Sequence, residues 1–434
     1  MGGLIFFFIS LILNLREKQR NSIYFLLISA LLFFSFAALL DPFLNIYDER
    51  FHALVAKNLT LHPFKPTLYD DPIVNMPYDR WDKFHIWLHK QPLFLWQIAL
   101  SFELFGLSEF ALRIPSILLM TILVLAGYRI GKLLINERIG IITGILIISS
   151  LYNIQLVAGR RMLDHNDVSF LVYISLSIWS LVEYRFSGRK VWIYLIGLFA
   201  GLAILCKWIV GLLVYFGWFI IKIQEKKFNF KDSLDLLQSV FVTVLIALPW
   251  QIYIYIKYPV EASMANLYNA QHFYKVIEGH RGTFWFHLDQ FNFLFGHLAA
   301  FLIIPSYCFL FKRIRDKKIF FAMLGMLCIT YLFFSIAKTK MYGFPIIVSL
   351  LVYIPIAVFL DFLIENIMKL QLNIQIKKGL TISFLMLVFI IRMDPIRIKE
   401  EHTMCNKDNS YTRMLVHNKE IFESLHLPEN AVIF

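Results

Sequence analysis

The stretch Lys312–Lys340, KRIRDKKIFFAMLGMLCITYLFFSIAKTK, decides the fold. It opens on a short basic loop, runs uncharged from Ile319 to Ala337, and closes on the pair Lys338 and Lys340. A hydrocarbon core about 30 Å thick needs about 20 apolar residues in a helix. Lipid cannot satisfy an open strand edge, so 319–337 reads as a transmembrane helix.

The same pattern recurs along the 434 residues. Runs that meet or approach a span lie near 22–40, 114–134, 139–157, 167–183, 191–205, 208–223, 236–256, 287–311, 319–337, 343–364 and 379–393, which makes eleven. The stretch 3–14 is too short to span and reads as a segment along the interface. Composition agrees. The chain is 59% hydrophobic with mean hydropathy +0.64 and only 17% charged, where a water-soluble domain carries roughly 25% charge. The expected fold class is therefore an all-α integral membrane bundle of about eleven transmembrane helices.

Charge orients the bundle. Arg16–Arg20, Arg129–Arg138, Arg185–Lys190, Lys222–Lys231, Lys312–Lys318 and Lys369–Lys378 are short basic loops that alternate with the other set. The positive-inside bias makes them cytoplasmic. The same scatter explains the net charge of +12 without nucleic acid. The outer segments are long: 41–112, 257–286 and the tail 394–434. Long loops outside a compact bundle usually carry function. Residues 1–393 thus read as a transmembrane domain. Within the first outer loop, Phe51–Leu59 and Leu93–Phe105 read as helices on the membrane surface. The tail ends on the apolar run Ala431–Phe434, which reads as the start of a further soluble piece. Cys206, Cys308, Cys328 and Cys405 have no ligand spacing, so neither a disulfide framework nor a zinc site is expected.

The outer loops gather the polar chemistry. Asp48-Glu49 follow the first span. Such a pair suits a general base or a metal, although Asp48 equally suits a helix N-cap. Lys90, in His89-Lys90-Gln91-Pro92, stands where the loop returns to the membrane, at phosphate depth or as a snorkelling lysine. The run Arg160-Arg161-Met162-Leu163-Asp164-His165-Asn166-Asp167 places charge on a short outer turn, where it is costly unless paired or functional. Lys207, Lys338 and Lys340 add cations on the same side. Cations beside carboxylates at headgroup level suggest a phosphate-bearing lipid and a base. No P-loop, GxSxG, HExxH or dinucleotide fingerprint is present.

The ordered set Asp48-Glu49-Arg50-Phe51-His52-Ala53, Lys90-Gln91-Pro92-Leu93, Arg113-Ile114-Pro115-Ser116, Leu163-Asp164 and Lys338-Thr339-Lys340 resembles the GT-C membrane glycosyltransferases. The likeness is to the family 39 type, which includes the aminoarabinose transferases of lipid A and the protein O-mannosyltransferases. It runs from about residue 40 to 360. The resemblance implies transfer of a sugar from a polyprenyl-phosphate donor to a lipid A, glycan or protein acceptor, by inverting displacement. It implies a multi-pass protein of the bacterial cytoplasmic membrane whose site faces outward among membrane lipids. It further implies Asp48 as catalytic base, with Glu49 beside it and Asp164 on the acceptor side. Lys90, Lys207, Lys338, Lys340 and Arg161 would meet the donor phosphate. His52 stands where the family has Tyr, Gln91 replaces a Pro, and Met341-Tyr342-Gly343 replaces Pro-His-Tyr. His89 stands where some lipid A enzymes have an acidic metal ligand, so His89 with His272 is a candidate site for a divalent metal. The competing reading is a transporter of polyprenyl lipid or polysaccharide. It would call for charges lining a path through the spans and for related halves, and no internal repeat is visible.

Overall fold

The computed structural model describes residues 2–16, 18–45, 48–69, 80–160, 164–225, 230–404 and 410–426. Every regular element among them is a helix, apart from one isolated antiparallel bridge between Thr67 and Ile86. The terminal run 431–434 and Cys405 lie outside the described residues.

Helices α1 (Gly2–Leu15) and α2 (Gln19–Ala38) form an antiparallel hairpin. Ser10 and Ser22 each donate to the other's carbonyl, at 2.8 and 2.9 Å, and Ser29 donates to Gly3 at 2.9 Å. Phe7 is fully buried, its ring 4.4 Å from that of Phe389. The expectation that 3–14 lies along the interface is therefore corrected. Its length is short for a span, but its serines and Phe7 dock it into the bundle.

Next come α3 (Asp48–Leu61), α4 (Leu93–Phe105), α5 (Glu109–Leu134), α6 (Glu137–Ile148), α7 (Leu151–Val157) and α8 (Asp164–Ser187). They are followed by α9 (Val191–Lys207), α10 (Leu213–Glu225), α11 (Phe230–Lys257), α12 (Pro259–Tyr274), α13 (Phe286–Asp289) and α14 (Phe291–Phe295). The chain continues through α15 (Ala299–Arg313), α16 (Lys317–Ile336), α17 (Ser349–Lys369), α18 (Ile374–Met393), α19 (Pro395–Met404) and α20 (Ser410–Ser424).

All eleven apolar runs are helical, but not all are single straight spans. Seven helical segments among the described residues are long and apolar enough to cross a membrane, or eight if α6 and α7 count as one. Those two meet at 56°. Ser150 accepts from the Asn153 backbone N–H at 3.4 Å, and the Asn153 side chain donates to the Ile147 carbonyl at 3.1 Å. Polar side chains thus replace the backbone bonds lost at the bend. The run 191–205 becomes the 17-residue α9. The run 208–223 becomes a 3₁₀ turn at Trp208–Leu212 followed by the 13-residue α10. The run 287–311 is divided among α13, α14 and α15, because Gly296 adopts φ +108 and ends α14.

The apolar core is densest around α8 and the 344–369 segment, whose most apolar windows are each 83% buried, against 28% for α11 and 17% for the segment carrying α18. The first two are central and the last two peripheral. A second, smaller core joins α3, α4 and the 84–88 segment to Trp250, Ile254, Ala262 and Ala265, capping one end of the bundle.

The opposite end is stitched by ion pairs. Arg129 meets Glu183 at 2.5 Å, and Arg185 meets Asp316 at 2.7 Å and also Glu225. Arg138 and Arg313 both reach Asp361 and Glu365, with Arg313 3.0 Å from Asp361. Asp361 is fully buried and joins α6, α15 and α17. Replacing it leaves two partly exposed guanidinium groups sharing Glu365 alone, a change that costs about 1–3 kcal/mol. Asp361→Ala should therefore lower the thermal midpoint of the detergent-purified protein, measured by intrinsic fluorescence, well below that of a Lys419→Ala control.

Candidate active site

The capped end is organised around Glu49. This residue is fully buried in the first turn of α3. Its Oε1 accepts from Arg113 Nε at 2.8 Å and contacts His165 Nε2 at 3.1 Å. Its Oε2 accepts from the Asn45 backbone N–H at 2.7 Å and from Arg113 Nη2 at 3.1 Å. Arg113 donates further to the carbonyls of Ala38 (2.8 Å), Asp41 (2.5 Å) and Phe43 (3.1 Å). His165 Nδ1 in turn lies 2.7 Å from Ser116 Oγ. Gly159, at φ +71, leaves room for the carboxylate: a Cβ there would lie 2.1 Å from Glu49 Oε1.

The motif Arg113-Ile-Pro-Ser116 thus acquires a physical reading. Pro115 has no N–H for the Ala111 carbonyl four residues back. Ser101 of α4 supplies the missing donor at 2.5 Å. Burial alone would raise the Glu49 pKa, but the His165 contact and the Arg113 charge overcome it and hold it at about 2. With both oxygens committed, Glu49 is a structural anchor, which corrects the expectation that it acts with Asp48 in catalysis.

Asp48, one residue earlier and half-buried, begins α3. It belongs to a different group of charges. Lys90 is half-buried in the loop before α4, and burial lowers its pKa from the ordinary lysine value. The charges of Asp48 and Asp167 counter that lowering, and that of Lys207 adds to it. Lys207, at the end of α9, donates to Asp167 Oδ1 at 2.7 Å and lies 4.9 Å from the centre of the Phe344 ring. A Cβ at Gly343 would meet Tyr152 Oη at 2.4 Å and Asp167 Oδ2 at 3.5 Å. The first outer loop, α8, α9 and the turn before α17 therefore bring Asp48, Lys90, Asp167 and Lys207 together.

The remaining expected site residues divide. Asp164 begins α8, but its side chain and the whole of Arg161 lie outside the described residues. Lys338 is exposed, its backbone N–H bound to the Phe273 carbonyl at 3.0 Å. Lys340 is buried. Its ammonium donates to the carbonyls of Phe334 (3.0 Å) and Ser335 (2.5 Å), capping the C-terminal end of α16. That geometry corrects Lys340 as a phosphate contact.

His89 is buried, stacked on Trp81 at 5.0 Å and edge-on to Tyr268 at 5.7 Å. Burial first, then the Lys90 charge, lowers the pKa of both His89 and His272, so both imidazoles are neutral near pH 7. Neutral imidazole can ligate a metal. Among the described residues, however, no group of three or more His, Cys, Asp or Glu gathers as a metal site.

Sequence reasoning had Asp167 in view within the 160–167 run but did not single it out. The signal was the helical period, which sets Asp167 one turn beyond Asp164. Glu278 was missed altogether. Its carboxylate accepts from Trp81 Nε1 and from Tyr268 Oη (2.9 Å), fixing the ring against which His89 packs.

Residues 89–253 match the family model described as dolichyl-phosphate-mannose-protein mannosyltransferase, a segment that contains Lys90, Asp167 and Lys207. The chain is also similar in structure to ArnT from Cupriavidus metallidurans bound to undecaprenyl phosphate (TM-score 0.65, 15% identity, 88% of this chain and 71% of that one). The apo form of the same protein gives TM-score 0.61 at 16% identity, with the same shares covered. The oligosaccharyltransferase AglB from Archaeoglobus fulgidus, in complex with an inhibitory peptide and a dolichol-phosphate, gives TM-score 0.56 at 13% identity, covering 87% of this chain and 55% of that one. No curated protein matches the sequence. The bundle and its helical cap thus share the fold of these solved membrane structures.

The two acidic neighbours should separate experimentally. Glu49→Ala strands the buried Arg113 guanidinium and should cost roughly 3–5 kcal/mol of stability, whereas Asp48→Asn should leave the thermal midpoint within a degree or two. Because the folded Glu49 pKa lies below its ordinary value of 4.5, the anchor's contribution is full above pH 4.5 and is lost as pH falls through about 2. Acid unfolding followed by tryptophan fluorescence should show that loss in the wild type and in Asp48→Asn alike.

Proposed function

We propose that this GT-C-fold chain is a membrane glycosyltransferase that moves a sugar from a polyprenyl-phosphate-linked donor to an acceptor hydroxyl or phosphate, with Asp48 as general base. The observation that carries the reading is the placement of Lys90 among Asp48, Asp167 and Lys207 at the capped end of the bundle. A transferase of this kind needs two things within one small volume. It needs a carboxylate to take the acceptor's proton, and cations to receive the charge that builds on the departing lipid phosphate. The cluster contains both.

In this mechanism Lys90 binds the donor phosphate and stabilises it as the bond to the sugar breaks. Lys207 stands behind it, held in place by Asp167 and by the Phe344 ring. Asp48 removes the acceptor proton as the acceptor oxygen attacks the anomeric carbon. A single displacement of that kind inverts the anomeric centre. Asp48 also keeps its position cheaply, because Glu49 pins the first turn of α3. No step is routed through a metal.

The ligands of the similar structures, undecaprenyl phosphate in ArnT and dolichol-phosphate in AglB, support a polyprenyl phosphate as the lipid class. The short basic loops at the end opposite the site support a cytoplasmic assignment for that end, which puts transfer on the outer face of a bacterial cytoplasmic membrane. Residues 1–393 form the catalytic domain, and 394–434 follow it on the outer side.

Asp48→Asn should reduce sugar transfer from a labelled polyprenyl-phosphate donor by about 10²–10⁴-fold while donor binding persists, since a base contributes in the transition state and not in binding. Unchanged transfer would remove Asp48 from the role. Lys90 gives a second readout. Its charged form binds phosphate and its pKa is lowered, so donor affinity should fall with rising pH earlier than an ordinary lysine would allow. Lys90→Arg, which stays charged, should flatten that alkaline limb in a titration of donor binding.

A further inference from the structure

A second basic site borders the first. A cavity of about 260 Å³ opens at the bend between α6 and α7, and its lining includes Ser150, Tyr152, Asn292, His297, Arg392 and Arg397. Tyr152 is common to both sites. Its ring packs edge-on against Phe293 at 5.7 Å on the cavity side, and its hydroxyl adjoins Gly343 near Asp167. Arg397 lies over the Phe293 ring at 5.7 Å.

Arg392 differs from five other half-buried or buried arginines. Arg113, Arg129, Arg138, Arg185 and Arg313 each meet a carboxylate. Arg392 is held by neutral groups: the carbonyls of Phe295 (2.6 Å) and Leu146 (3.1 Å), Ser149 Oγ (3.3 Å) and the Tyr353 ring (5.0 Å). Among the described residues no carboxylate pairs with it. These contacts use three of the five N–H donors of a guanidinium and neutralise none of its charge. Among the described residues the cavity lining contains no acidic residue. The nearby Asp394 is turned to His297 (3.6 Å) and to the Arg397 backbone N–H (3.2 Å). Gly296, at φ +108, admits the guanidinium: a Cβ there would lie 2.7 Å from Arg392 Nη1.

A partly desolvated, positioned and uncompensated guanidinium beside a second one is the geometry that recognises a phosphate. We propose that this cavity binds a phosphate group, at a site separate from Lys90. The asparagine of the lining supplies a neutral donor for a remaining phosphate oxygen. Because the site stands at the C-terminal end of α18, the phosphate arrives either on a lipid or free from solution. The proposal concerns binding and does not depend on the glycosyl-transfer reading.

The test uses the full chain in dodecyl maltoside with Lys90→Gln as background, so that any phosphate binding at the lysine cluster is weakened beforehand. Binding of dodecyl phosphate and of inorganic phosphate is measured by isothermal titration calorimetry. Saturable binding in the Lys90→Gln protein that weakens about tenfold or more on adding Arg397→Gln is the expected result. Gly296→Ala, which crowds Arg392 without removing a charge, should weaken it as well. Binding of dodecyl phosphate alone assigns the site to a lipid, and equal binding of inorganic phosphate assigns it to a free anion. If neither ligand binds the Lys90→Gln protein, or if Arg397→Gln and Gly296→Ala both leave binding unchanged, the proposal is overturned.

Discussion

The Glu49–Arg113 ion pair is the constraint on which the capped end of this molecule depends. Both side chains are buried, and a buried charge survives only when its partner and its remaining hydrogen bonds are supplied. The chain meets that demand from four places. The end of α2 and its following loop give carbonyls to Arg113, and α3 gives the carboxylate. Helix α5 gives the guanidinium, and α8 gives His165. An exposed pair would be weak and adjustable, whereas this one fixes where the cap sits on the bundle. The start of α3, and with it Asp48, is held as a consequence.

The two ends of the bundle treat charge differently. At the basic-loop end Arg129, Arg138, Arg185 and Arg313 each meet a carboxylate from another part of the bundle, and Asp361 serves two of them. Those groups are saturated and hold helices together. At the capped end the lysines and carboxylates lie beside aromatic rings, and Arg392 of the side cavity rests on neutral carbonyls. Charge that is matched by neutral groups is stable enough to persist and remains able to take a counter-ion. That contrast distinguishes the two ends without reference to which side of a membrane each faces.

The spans were legible because their length and apolarity are local properties, as in Ile319–Ala337. What escaped the sequence were features whose cause lies far along the chain. The bend at Ser149-Ser150 is satisfied by Arg392, more than two hundred residues away. The role of Glu49 is set by Arg113 and His165, and that of Lys340 by carbonyls of the preceding helix. Asp48, Lys90 and Lys207 were legible for the opposite reason. Each is a charge at the end of an apolar segment, where the cost of burial marks it as paired or functional. Asp167 lay within a run of charges whose members only the helix phase can tell apart.

Charge balance within the cluster bears on how a base could work beside a lysine. Asp48 and Asp167 face Lys90 and Lys207, so the cluster itself is near neutrality. A carboxylate that stabilises an ammonium is a weakened base, because the cation holds its negative charge in place. On the proposed reaction, a donor phosphate entering beside Lys90 takes over part of that cation's field. The same event therefore anchors the donor and loosens the hold of Lys90 on Asp48. Lys207 is held by Asp167 at 2.7 Å. Two lysines and two carboxylates can in this way link the strength of the base to occupancy of the donor site, with no movement of a helix.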